Sequence, residues 1–166
     1  MDRTLILVRH AQSITPQSGM RDIERTLTDK GVQDASKSGK YLKDLKVIPQ
    51  LIYTSHAVRA FSTARLIADQ MGIEENKVVV NEDLYEASIR ILLKIIHEMD
   101  ENLHSILITG HNPSISYLSE FLTDDSVGDI LPSGFCIVNF TDISWSMLDK
   151  GNGRMTDCKS PSDIII

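Results

Sequence analysis

The sequence predicts an α/β fold: a three-layer sandwich with a mostly parallel central sheet and helices on both faces. Two observations carry this. Short apolar runs alternate along the chain with segments of helical periodicity, the order that βαβ units impose. The first run, Leu5-Ile6-Leu7-Val8, is apolar without a break, as a strand buried on both faces must be. With 166 residues, 42% of them hydrophobic and 24% charged, the chain suits one domain spanning 1–166.

Taken in order, the first strand runs from Thr4 to Arg9 and empties into a polar stretch, Ala11 to Arg25. Thr28 is a good N-cap for a helix over Asp29–Leu45, because its hydroxyl can accept from a free amide of the first turn. Pro49 precedes a second strand, Leu51–Thr54. Alanine and leucine spacing predicts a helix over Ala57–Met71, stopped by Gly72, and Lys77–Val80 forms a third strand. Ala87–Met99 reads as helix and Ser105–Thr109 as a fourth strand. Gly110-His111-Asn112-Pro113 then opens a helix that reaches Leu122. Beyond the acidic Thr123-Asp124-Asp125 loop, Phe135–Phe140 and Ser144–Leu148 alternate as strands, and a turn at Lys150–Gly153 leads to a last strand near Met155. The Ser160-Pro161-Ser162 tail is expected to be peripheral. Trp145 and Ile164-Ile165-Ile166 are expected to cover a sheet edge or a partner surface.

The formal net charge of -6 argues against broad binding to nucleic acid or anionic membrane, so any positive potential must be local and built by a few placed arginines. The N-terminus goes straight into a strand and has neither a signal peptide's pattern nor the length to span a bilayer, which makes the cytoplasm the expected location. Cys136 and Cys158 form no C-x-x-C pair and are expected to be reduced thiols. The five histidines lack zinc-ligand spacing, and no metal site is expected. His97 and His104 read as structural or solvent-facing.

The chemistry concentrates where strands end. Open parallel sheets bind ligands at the carboxyl ends of their strands, and there the first strand delivers Arg9 and His10. The second strand is followed by Thr54-Ser55-His56-Ala57-Val58-Arg59, which puts Arg59 in the first turn of a helix. A cation opposes the helix dipole at that place, whereas a bound anion would reverse the penalty, since helix N-termini and arginine both hold phosphate. The fourth strand ends in His111-Asn112. Taken singly, each is as easily a surface residue. Together they place cations or potential cations on one rim. Asn112 either donates to a phosphate or caps the helix behind it, and Ser55 either binds substrate or caps the Arg59 helix.

On these residues the chain resembles the histidine phosphatase superfamily, the fold shared by phosphoglycerate mutases and acid phosphatases. The likeness rests on Leu7-Val8-Arg9-His10-Ala11-Gln12-Ser13, Leu27-Thr28-Asp29-Lys30-Gly31, Thr54-Ser55 with Arg59-Ala60 and Thr63-Ala64, Leu84-Tyr85-Glu86-Ala87, and Gly110-His111-Asn112-Pro113. Its short length and the Leu-Tyr-x-Ala stretch make it most similar to the compact SixA branch of phosphohistidine phosphatases, without a lid domain. One departure stands out: the usual Arg-His-Gly is Arg9-His10-Ala11, and alanine disfavours a left-handed backbone. The resemblance implies that His10 is a nucleophile forming a phosphohistidine intermediate, with no cofactor. It implies that Arg9, Arg59 and His111 surround the transferring phosphoryl group, that Arg25 is a further clamp, and that Glu86 stands where ester-cleaving relatives keep an acid. The implied substrate is a phosphohistidine-bearing protein or a small phosphoester.

Overall fold

The computed structural model describes residues 1–165, so Ile166 of the apolar tail lies outside the described residues. Ten regular elements follow one another: β1 (Arg3–Arg9), α1 (Asp29–Asp44), β2 (Leu51–Thr54), α2 (Val58–Met71), β3 (Val78–Val80), α3 (Ile89–His97), β4 (Ser105–Gly110), α4 (Ser114–Thr123), β5 (Phe135–Phe140) and β6 (Arg154–Lys159). The six strands form one sheet in the order β3-β2-β4-β1-β5-β6. β3, β2, β4 and β1 run parallel, while β5 and β6 return antiparallel.

Strand periodicity sorts the core. Leu5 and Leu7 of β1 pack on one face with Leu92, Ile95 and Ile96 of α3 and Ile115 and Leu118 of α4. Ile6 and Val8 pack on the other with Leu42 of α1 and Ala64 and Ile67 of α2. All four strand residues are fully buried, which is why this run could not alternate with polar residues. Thr28 caps α1 as expected, its hydroxyl accepting from the Gly31 amide at 3.0 Å. A Cβ on Gly31 would come within 2.2 Å of the Gln12 carbonyl, so only glycine lets α1 start this close to the segment after β1.

Four expectations are corrected at the C-terminal end. Ser144–Leu148 is no strand. Trp145–Met147 is a single 3-10 turn because its Trp145 and Ser146 amides are held by the Glu101 carboxylate at 3.1 and 3.2 Å. Trp145 itself covers no edge: it is fully buried, with its indole N–H donating to the Leu103 carbonyl at 2.8 Å. Cys136 and Cys158 are not free thiols. The antiparallel register of β5 and β6 sets them opposite each other, and they are joined by a disulfide. The tail is not peripheral either, since Pro161 is buried and Ile164 packs at 4% exposure into the core beneath α1 and α2, although Ile165 is exposed. Among the described residues no helix is long and apolar enough to cross a membrane.

Candidate active site

Register assembles the site. β4 lies between β1 and β2, and pairing of Arg9 with Gly110 and of Thr54 with Thr109 ends all three strands at one level. The residues that leave those ends are therefore neighbours. His10 donates its amide to the Gly110 carbonyl at 3.0 Å, and the His10 and His111 rings stand 5.1 Å apart. Ser55 leaves β2 beside them, and its hydroxyl lies 2.8 Å from His111 Nε2. Ser55 thus orients His111 and does not cap α2, whose N-terminus has no side-chain cap.

His10 is held in one orientation. Its Nδ1 sits 2.8 Å from the Ala11 carbonyl, an acceptor only, so Nδ1 carries the proton and Nε2 keeps its lone pair. That Nε2 accepts from Arg59 Nε at 3.3 Å. The Ala11 amide donates to Thr63 Oγ1 at 2.9 Å, and Thr63 donates to the Arg59 carbonyl at 2.7 Å, which ties the end of β1 to α2. Ala11 is fully buried and is not one of the residues with a left-handed backbone, so replacing the family's glycine costs no strain here. Burial, aided by the charges of Arg59, Arg9 and Arg25, pushes His10 down to about 4 against the opposing Ala11 hydrogen bond. Burial, with His10 and Arg59 as further causes, pushes His111 down to about 3. Both imidazoles are neutral at pH 7.

A pocket of about 450 Å³ contains seven of the eight predicted residues: Arg9, His10, Arg25, Arg59, Glu86, His111 and Asn112. Ser55 lies behind His111. Arg9 donates from Nη1 to the Ile130 carbonyl at 2.9 Å, while its Nε is buried without a partner. Arg25 is anchored through Nε to the Ile14 carbonyl at 2.9 Å. Asn112 is engaged at both side-chain atoms: Nδ2 gives one of its two N–H groups to Ile130 O at 3.0 Å, and Oδ1 accepts from the Ser116 amide and hydroxyl, so this residue caps α4 and ties down the segment that holds Arg9. Glu86 is exposed at the rim, on a left-handed backbone with φ 52°.

Sequence reasoning missed Asp22 and the role of Tyr85. Asp22 sits on a one-turn 3-10 helix, Asp22–Glu24. Its carboxylate accepts from Arg59 Nη2 at 2.8 Å, from Arg25 Nη1 at 3.1 Å and from the Tyr85 hydroxyl. The Tyr85 hydrogen bond first, then Arg59 and Arg25, hold Asp22 far below the usual carboxylate range. Tyr85 stands edge-on to His111 at 5.5 Å and to His56 at 5.4 Å. The available signal was the spacing of Asp22 three residues before Arg25.

A neutral imidazole with an unprotonated Nε2 and guanidiniums around it can attack and stabilise a phosphoryl group. Phosphoglycerate mutase 1 of Saccharomyces cerevisiae is 37% identical over 78 residues, covering 44% of this chain and 32% of the mutase. The chain thus spans about a third of the length of the curated relatives it matches first. The SixA-type protein of Agrobacterium tumefaciens superposes with a TM-score of 0.82 at 23% identity, over 96% of this chain and 98% of that one. A protein histidine phosphatase SixA complexed with tungstate gives a TM-score of 0.80 at 21% identity, over 96% and 98%. The fold is that of these structures. The family model for the histidine phosphatase superfamily (branch 1) matches residues 5–107, which hold the Arg9-His10 strand end, Arg25, Arg59 and Glu86, and the chain belongs to that superfamily.

Proposed function

We infer that this protein hydrolyses a phosphoryl group through a phosphohistidine intermediate on His10, and that its substrate is phosphohistidine on a phosphotransfer protein. The observation that carries the reading is the state of His10. Its Nδ1 is committed to the Ala11 carbonyl and burial keeps it neutral, so Nε2 offers a lone pair beside Arg59. In the first step Nε2 attacks phosphorus in line, the bond to the leaving group breaks, and Arg9, Arg25 and Arg59 take the charge on the equatorial oxygens. Water then cleaves the N–P bond, freeing phosphate and restoring His10.

The leaving group decides the substrate class. Protonated imidazole leaves readily, whereas an alkoxide needs a proton donor. Glu86 is a carboxyl group placed at the rim, and it is exposed and makes no hydrogen bond among the described residues that would hold it over the leaving oxygen. The segments 10–28 and 81–88 that border the pocket carry nothing longer than one-turn helices, which leaves room for a side chain projecting from a partner protein. Glu86 also supports a second reading, a small-molecule phosphomonoesterase in which this carboxyl protonates the ester oxygen.

Phosphate release from a phosphohistidine-bearing phosphotransfer protein and from an aryl phosphate, with the full chain and its His10→Ala variant, tests both. Turnover of the protein substrate, lost in the variant, is the expected result. Turnover of the aryl ester alone moves the substrate to the second class, and activity that survives in His10→Ala rejects the mechanism.

A further inference from the structure

Positive groups crowded into a half-buried pocket repel one another, yet Arg59 is 5% exposed and held in one orientation. Each of its nitrogens is engaged. Nε faces His10 Nε2 at 3.3 Å, Nη1 donates to the Asp22 carbonyl at 2.8 Å, and Nη2 donates to Asp22 Oδ2 at 2.8 Å. Asp22 also takes Arg25 on Oδ1 and the Tyr85 hydroxyl on Oδ2. One carboxylate thus gathers donors from the segment before α1, from α2 and from the segment before α3. Its side chain remains 42% exposed and borders the same pocket as His10.

These donors are the ones a phosphoryl group requires. Arginine binds carboxylate and phosphate with the same N–H fork, so a carboxylate seated on Arg25 and Arg59 competes with an incoming phosphate while fixing where both arginines stand. We propose that Asp22 is a positioning residue and internal counter-anion: it holds Arg59 against His10 and limits how tightly the product phosphate binds. The proposal rests on reading the pocket as a phosphoryl-transfer site. Two consequences follow from its charge and its contacts. Without Asp22 the arginines turn wholly to phosphate, so the anion binds more tightly. Without it Arg59 is no longer fixed beside Nε2, so the chemical step slows. An interaction that weakens ground-state binding while serving the reaction gives the signature of KM and kcat falling together.

The test uses the full chain with Asp22→Asn and Asp22→Ala, inorganic phosphate as the probe ligand, and an aryl phosphate or phosphohistidine protein as substrate. Phosphate affinity is read from the rise in Tm with phosphate concentration, which needs no turnover and reports only on folded protein. Both variants are expected to bind phosphate about tenfold more tightly than the wild type, with kcat and KM each lowered about tenfold or more. The Ala variant carries the same prediction should the Asn amide misplace a donor against Arg25. Wild type that binds phosphate, with variants that bind it equally or less well, overturns the role of Asp22 and leaves the proposed function standing. Failure of phosphate to stabilise any of the proteins rejects the phosphoryl site itself, and this inference with it.

Discussion

β1 carries an arginine at each end, and the two ends of this strand show how one residue type serves two purposes. Arg3, 4% exposed, spends its guanidinium on the carbonyls of Ile143, Glu101 and Leu103 and on the Glu101 carboxylate, and lies over the Trp145 ring at 5.3 Å. Four of its five N–H groups are used in holding the segment after α3 to the Trp145 turn. Arg9, at the carboxyl end, borders a pocket that holds two neutral histidines; it gives one nitrogen to Ile130, and its Nε is buried without a partner among the described residues. A buried donor left unsatisfied costs free energy, of the order of 1–3 kcal/mol, and such a cost is tolerated where a ligand supplies the missing acceptor. The lesson is that a buried arginine is read by its unspent donors and not by its depth.

The sharpest test of this contrast is His10→Ala at the carboxyl end. It should lower turnover by about 10⁴-fold or more, as expected when a nucleophile is removed, while the urea midpoint stays near wild type. Arg9→Ala comes next, with a loss of about 10²- to 10³-fold in kcat/KM and little change in stability, measured by steady-state kinetics beside urea unfolding. A stability loss with activity intact would erase the distinction between the two ends.

Acid should separate the ends in another way. Only neutral His10 can attack, and its pKa is pushed down to about 4, so activity should persist to about pH 5 and fall tenfold per pH unit below about 4. Stability has the sign set by a depressed histidine. Below about 6.5 the unfolded chain takes up protons that folded His10 and His111 refuse, so stability is complete above that pH and is lost progressively as the pH falls towards 4. Urea unfolding at several pH values should show this slope in wild type and in Arg3→Ala, and a weaker one in His10→Ala.

Arg3→Ala should be the mirror image of Arg9→Ala. It should cost about 2–3 kcal/mol from lost charge-assisted hydrogen bonds, with kcat within about twofold of wild type. The smallest effect is expected for Glu86→Gln, with phosphohistidine turnover changed less than about threefold, since protonated imidazole needs no acid. A loss of tenfold or more on an aryl or alkyl ester in the same variant would assign Glu86 to the leaving oxygen.

What could be read from the chain follows from the range of each interaction. The Leu5–Val8 run, the Thr28 cap and the Gly72 stop are local: they depend on residues within a turn of one another and appear in the structure where expected. Arg9, His10, Arg59 and His111 were legible because strand ends in parallel sheets converge, and the register of β1, β4 and β2 brings them together. For Asn112 and Ser55 the sequence allows two roles each, because the choice depends on Ser116, Ile130 and His111, which are distant in sequence or on other elements. Asp22 carries only its three-residue spacing to Arg25, a pattern that marks an ordinary surface ion pair as readily as a site residue.

By itself the sequence determined the class of fold, the order of its elements as far as β5 and the strand ends that carry Arg9, His10 and His111, because buried strands and capped helices write their pattern into neighbouring residues. Only the tertiary structure decided which donors are spent and which are free. It set Cys158 opposite Cys136 through the register of β5 and β6, placed Glu101 beneath the Trp145 amide, and folded Ile164 into the core. It also brought Asp22 between Arg25 and Arg59. Each of these contacts joins residues whose meeting depends on how whole elements pack, and no local pattern in the chain records that.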